Sequence, residues 1–356
     1  MLARRVPFNF IGIAALLFSA LACRAATQLV LLATPTPTPS QTPTITPTLT
    51  PTFTPTFTPT VIFEAACPTL IAGILNDITS DVGLPGERAD ERFRGEGSIF
   101  LVTYEVTGDK LSGTQIQTVP DELEDERDDR LTHEAIWDYF KALIPAEERA
   151  RVSEFSIFTD GRGSHLAAVS PTFSDPERWT LHVDIEDAES YYDLTYTLIH
   201  EQGHLLTLNS EQVPLSKAIL RYPNNSTIYN QEVAACPQYF TGEGCSQPDS
   251  YINQFFNRFW PYLYAEWEQI DLEEDDDIRQ ILLEEFYEMF QDQFLTGYAA
   301  TSPAEDIAEA WTFFVLSPKP ELTSIASEKI LFFYEYPELV ELRTQILNQI
   351  CAEFPR

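Results

Sequence analysis

At 356 residues, the chain sets 22 Lys and Arg against 55 Asp and Glu, a formal net charge of −33. That excess repels phosphate backbones and anionic membrane surfaces, which argues against nucleic-acid binding and leaves membrane association to a covalent anchor. The length exceeds one average domain, but the composition up to residue 60 cannot build a packed core, so the domain count is made on the remainder.

Met1 to Ala22 reads as a secretory signal: Arg4 and Arg5 form its positive start, and Phe8 to Ala22 an apolar run ending in small residues. The run is short for a spanning helix. Ala20-Leu21-Ala22-Cys23 is similar to a bacterial lipobox, with Ala20 where leucine is usual, and it also fits an ordinary signal-peptidase site. Cys23 is therefore a candidate lipid anchor, and residues 23–33 a candidate lipid-anchored N-terminus. From Thr34 to Thr60 the sequence is almost entirely Thr and Pro, with a four-residue period from Pro43 to Pro59. Proline at that density favours polyproline II at about 3.1 Å per residue, a stalk of roughly 80 Å. The expected location is extracellular, tethered to the outer face of a bacterial cell membrane.

The folded domain is expected over 61–356. A short helix near Pro68 to Ile78 precedes a polar loop reaching about Gly97. Ser98 to Val106 places Phe100, Val102, Tyr104 and Val106 at every second position, the period of a strand. The acidic run Asp121 to Arg130 reads as the solvated start of a helix carrying Ile136, Trp137, Phe140 and Leu143. Val152 to Thr159 and Trp179 to Ile185 read as strands, with His165 to Ser170 a third between them. Beyond Glu211 helical periodicity dominates, most clearly in Ile278 to Phe294, Glu305 to Leu316 and Pro337 to Ile350. Strands ahead of a central helix and helices behind it predict an α+β fold.

With Cys23 set aside, Cys67, Cys236, Cys245 and Cys351 remain, an even number suited to two disulfides in an oxidising compartment. Of the three pairings, Cys236 with Cys245, closing a short Gly-containing loop, and Cys67 with Cys351, tying the domain's ends, are favoured. No Cys-x-x-Cys spacing exists, which argues against a cysteine zinc site.

The chemistry is spelled by His200-Glu201-Gln202-Gly203-His204, in a helix expected to start after Asp187 or Ser190. Imidazoles four residues apart share one helix face and can grip one zinc ion, and Glu201 can take a proton from a water the ion activates. Tyr191, Leu194, Leu198, Leu205 and Leu208 recur at helical spacing, an apolar face that would bury the helix while the histidines face a cleft.

Catalytic zinc takes three protein ligands, so a third belongs downstream. Pro303 suits the first turn of a helix on which Glu305 and Glu309 share a face. Glu305 is the favoured ligand and Glu309 the acceptor of a ligand imidazole's N–H, with Glu309, Glu284 and Glu285 as rival ligands. His133, His165 and His182 read as ordinary surface or strand histidines. Trp179 to Asp184, around His182, is also a candidate edge strand for adding an extended peptide beside the cleft. The aromatic stretch from Tyr251 to Tyr264 reads as core.

A His-Glu-x-x-His helix followed by Glu305-Asp306-Ile307-Ala308-Glu309, a Glu-x-x-Ala-Glu pattern, resembles the gluzincin metallopeptidases of the anthrax-lethal-factor-like kind. The resemblance implies a zincin-like domain, with a small twisted sheet packed on the active-site helix and a mostly helical C-terminal part. It assigns His200, His204 and Glu305 to one zinc ion, Glu201 to general base and Tyr298, seven residues before Glu305, to the oxyanion. Glu309 stands behind the ligands. The two segments lie further apart here than in the family's type member, making about 209–297 a helical insertion. The implied activity is hydrolysis of a peptide or protein substrate; a non-catalytic surface binding module on the same scaffold and a zinc amidohydrolase acting on cell-wall material are the alternative expectations.

Overall fold

The computed structural model describes residues 66–81, 97–161, 166–172, 174–222, 225–273 and 275–354. The signal segment, Cys23, the stalk over 34–60 and His165 lie outside the described residues.

Helix α1 (Pro68–Asp81) is followed by strands β1 (Ile99–Thr107) and β2 (Lys110–Ile116), then by helices α2 (Glu124–Asp128) and α3 (Arg130–Leu143). Strands β3 (Val152–Thr159), β4 (Ala167–Pro171) and β5 (Trp179–Asp184) lead to α4 (Tyr191–Thr207), the helix of the His-Glu-x-x-His motif. The segment that follows supplies α5 (Lys217–Arg221), α6 (Ser226–Ala235), α7 (Tyr251–Phe259), α8 (Tyr264–Asp271) and α9 (Asp276–Met289). Helices α10 (Pro303–Leu316), α11 (Ile325–Phe333) and α12 (Pro337–Glu353) complete the order. The architecture is thus mixed α+β, one sheet followed by a mostly helical C-terminal part.

The five strands run in the order β2-β1-β3-β5-β4. Only the β3–β5 pair is parallel; β1 pairs antiparallel with β2 and β3, and β4 antiparallel with β5. All six residues of β5 are buried, as befits a strand covered on both faces. Trp179 to Asp184 is therefore an inner strand, and the expectation that it forms the sheet edge is corrected: the edge strand is β4. The other edge, β2, is largely exposed and polar, which left it without an apolar signal in the sequence. Its hairpin turn puts Gly108 at φ 53° and Asp109 at φ 66°, the left-handed pair a type I′ turn requires.

Helix α3 buries Ile136, Trp137, Phe140 and Leu143, and Trp137 packs on Phe155 of β3 with ring centroids 5.4 Å apart. The acidic run divides into the short α2 and a cap: the Asp129 side chain accepts the Thr132 N–H that opens α3. His133 is fully buried and not a surface residue. Its Nε2 donates to the Glu126 carbonyl at 2.9 Å, so its Nδ1 accepts the Tyr104 hydroxyl at 2.8 Å. Burial lowers its pKa, consistent with this neutral structural role.

Both favoured disulfides are present, Cys67–Cys351 and Cys236–Cys245. Two such bonds are compatible with an extracellular protein. In the segment between α4 and α10, Ile252, Phe255, Phe259, Trp260 and Leu263 are buried, so most of the aromatic stretch is core; Tyr262 is 97% exposed.

Candidate metal centre

Helix α4 starts at Ser190, whose side chain accepts the Asp193 N–H, and it ends where the Asn209 amide donates to the Leu205 and Leu206 carbonyls. Every residue from Leu194 to Leu205 is buried, so α4 runs through the core and is not amphipathic about an open cleft. The side chains of His200 and His204 are left 7% and 10% exposed. Helix α10 begins with the Ser302 side chain accepting the Glu305 N–H at 3.1 Å and Pro303 in the first turn, and Glu305 and Asp306 there complement the helix dipole.

The two helices meet closely because of Gly203. A Cβ built there would lie 3.0 Å from Cδ1 of Trp311 and 3.3 Å from Cα of Ala308. Contact at that point places His200 between the two glutamates of α10. His200 Nε2 lies 3.1 Å from His204 Nε2, and Glu305 Oε2 stands 3.0 Å from the first and 3.1 Å from the second. His200 Nδ1 donates to Glu309 Oε1 at 2.9 Å. Glu309 thus holds the ring from the side opposite Glu305, and among the described residues Glu284 and Glu285 make no hydrogen bond to either imidazole.

His200, Glu201 and His204 offer ligand atoms that all lie within 4.8 Å of one another, a group that could hold one metal ion. Glu305 Oε2 is closer to both imidazole nitrogens than that limit requires. Glu201 Oε2 is buried with no hydrogen-bond partner among the described residues, and so is His204 Nδ1.

The electrostatics are those of a buried charge cluster. Desolvation works against an imidazolium at His200, but the Glu305 and Glu309 carboxylates outweigh it and carry its pKa well above the ordinary value. At Glu305 desolvation is likewise outweighed, by His204 and His200, and the carboxyl lies well below its usual range. Glu201 is raised, chiefly by desolvation, with His204 and His200 opposing. Tyr298 sits in a 3-10 turn (Tyr298–Thr301) just before α10, its ring centroid 5.6 Å from that of His200. Desolvation and then the Glu305, Glu201 and Glu309 carboxylates keep its hydroxyl protonated.

Two residues behind Glu309 escaped the sequence reading. The Tyr196 hydroxyl reaches Glu309 Oε1 and Oε2 at 2.9 and 2.8 Å, and Thr296 Oγ1 donates to Oε2 at 2.6 Å. Tyr196 had a usable signal, since it lies four residues before His200 on one helix face. Thr296 had none; it also accepts the Ala299 N–H, tying the Tyr298 turn to the same carboxylate.

A second carboxylate group, Asp160, Asp184 and Asp187, lies near the ends of β3 and β5. Asp184 is fully buried, and its two oxygens accept the Asp160 and Glu186 backbone N–H groups, which accounts for it as a turn brace. His182 is buried beside Ser170, whose Oγ lies 3.0 Å from Nε2, and takes no part in the metal centre.

Comparison of the chain with known protein families, with curated proteins and with solved structures found no match.

Proposed function

We propose that the protein is an exported zinc metallopeptidase. The observation that carries this reading is the triangle formed by His200 Nε2, His204 Nε2 and Glu305 Oε2, with edges of 3.1, 3.0 and 3.1 Å. Ligands held about 2.0–2.1 Å from a tetrahedral ion stand about 3.3 Å apart, so the donor set and its spacing suit zinc. Two imidazoles and a carboxylate are also the donors zinc takes in hydrolases.

Zinc bound there would supply Lewis acidity toward a carbonyl oxygen and the attacking water. The chain's own residues have separate tasks. Glu201, whose buried Oε2 has no partner among the described residues, accepts the water's proton and passes it to the leaving amine. Tyr298 donates its hydroxyl to the developing oxyanion, a contact worth about 3 kcal/mol in comparable sites. Glu309, steadied by Tyr196 and Thr296, fixes the tautomer and orientation of His200.

A peptide substrate is favoured by the sheet. Strand β4 has, among the described residues, a strand neighbour on one side only and lies against α4. An extended peptide adding to that edge would bring its backbone to the general base. The test is a pair of measurements on wild type and Glu201→Gln. Both should bind one zinc per chain, and only the wild type should cleave an unstructured protein substrate. Equal turnover by the two, or no zinc in the wild type, would sink the reading.

A further inference from the structure

The long segment between the two metal-binding helices reaches α10 with two tryptophans. Trp267 of α8 donates its indole N–H to the Thr301 carbonyl at 2.8 Å, at the end of the turn that bears Tyr298 and one residue before the cap of α10. Trp260, at the end of α7, donates its indole N–H to Asp306 Oδ2 at 2.8 Å, one residue beyond Glu305. The same Oδ2 accepts Lys329 Nζ of α11 at 2.6 Å. Asp306 and Lys329 are both fully buried, and the ammonium lies 4.2 Å from the ring centroid of Phe294.

A buried ion pair is a poor device for stability alone, because desolvating two charges offsets most of their attraction and an apolar pair of similar volume often serves as well. What such a pair does provide is a fixed direction. Asp306 follows Glu305 by one residue, about 100° around the helix, so it faces away from α4 while Glu305 faces the histidines. Three donors converge on Thr301, just before the helix, and on Asp306 in its first turn, and Glu305 lies in the stretch they bracket. Glu309 and Gly203 set α10 against α4 on one side; Trp260, Trp267 and Lys329 set it from the other. One oxygen, Asp306 Oδ1, is left buried without a partner among the described residues, so the pair is not arranged for full hydrogen-bond satisfaction.

We propose that the inserted segment is the scaffold of the metal's third ligand: Trp260 and Trp267, together with Lys329 and through Asp306 and Thr301, are positioning residues that set Glu305. The inference rests on the metal centre proposed above. It gives the separation of the two motifs a physical reason, since the intervening helices hold the second motif in place.

The test uses the full chain and zinc itself, with affinity read by chelator competition and geometry by the absorption spectrum of the cobalt-substituted protein. Lys329→Met paired with Asp306→Asn removes both buried charges, and Trp267→Phe removes one donor while keeping an aromatic ring. Each should weaken zinc binding about 10- to 100-fold, the usual effect of losing support behind a ligand, and alter the cobalt spectrum. A purely structural role would lower the melting temperature of the metal-free protein and leave affinity and spectrum unchanged; that result in Trp267→Phe or the paired variant overturns the inference. Wild-type protein that takes up no zinc fails differently, removing the metal centre and this inference with it.

Discussion

Glu309 accepts the Nδ1 proton of His200 at 2.9 Å, and this bond turns the Nε2 edge of the ring toward Glu305 and His204. Glu309→Ala should therefore lower zinc affinity about 10- to 100-fold without removing any direct ligand. Glu305→Ala should cost more. Zinc competition measured on the two variants checks the order, and a Glu309 variant that binds zinc as wild type does would remove its orienting role.

Gly203 lies inside a helix, where alanine would ordinarily be preferred by about 1 kcal/mol. Here an added Cβ meets Trp311 at 3.0 Å and Ala308 at 3.3 Å. Overpacking typically costs about 1–3 kcal/mol, so the clash should win. Gly203→Ala is expected to lower the urea midpoint by an amount matching about 1 kcal/mol and to weaken zinc binding as α10 is pushed off α4. A raised midpoint would show that the helices do not need the contact.

His182 is buried, with its pKa lowered to about 4 from 6.5 by desolvation. A histidine whose pKa is depressed on folding contributes stability above its unfolded value and loses it as pH falls. The window is therefore about pH 6.5 to 4, and the loss across it approaches about 3 kcal/mol. Chemical denaturation at pH 7, 5.5 and 4 should show this slope in the wild type and a flatter one in His182→Gln. The same acid slope in both would place the sensitivity elsewhere.

The two disulfides should differ in worth. Cys67–Cys351 spans a sequence separation of 284 and Cys236–Cys245 one of 9. On chain entropy alone the long closure contributes about 5–6 kcal/mol and the short one about 3. Thermal denaturation of the two paired Cys→Ser variants should rank them in that order. The reverse ranking would mean that the short loop braces the helices between α4 and α10 beyond its closure entropy.

Much of this protein is legible in its sequence. The strands β1, β3 and β5 announced themselves by apolar density, the helix of His200 and His204 by its period and by Ser190 at its start, and both disulfides by cysteine arithmetic. The Glu305–Glu309 pair could be read as one helix face because i and i+4 neighbours are fixed by the helix itself. These are local signals, carried within a few turns or strands of sequence. Polar β2 carried no apolar signal, and the turn residues Gly108 and Asp109 that define its hairpin were passed over.

Tertiary structure decided what local periodicity cannot hold. That β4 and not β5 is the sheet edge depends on which strands pair, and that α4 is buried all round depends on everything packed against it. The meeting of Glu305 with two imidazoles about a hundred residues away depends on Gly203 admitting α10. Thr296, Trp260, Trp267 and Lys329 carry no motif, since a hydrogen bond across tens of residues leaves no period in the chain. The sequence by itself determined the chemistry on offer at His200, Glu201 and His204; packing between distant segments decided which groups surround it.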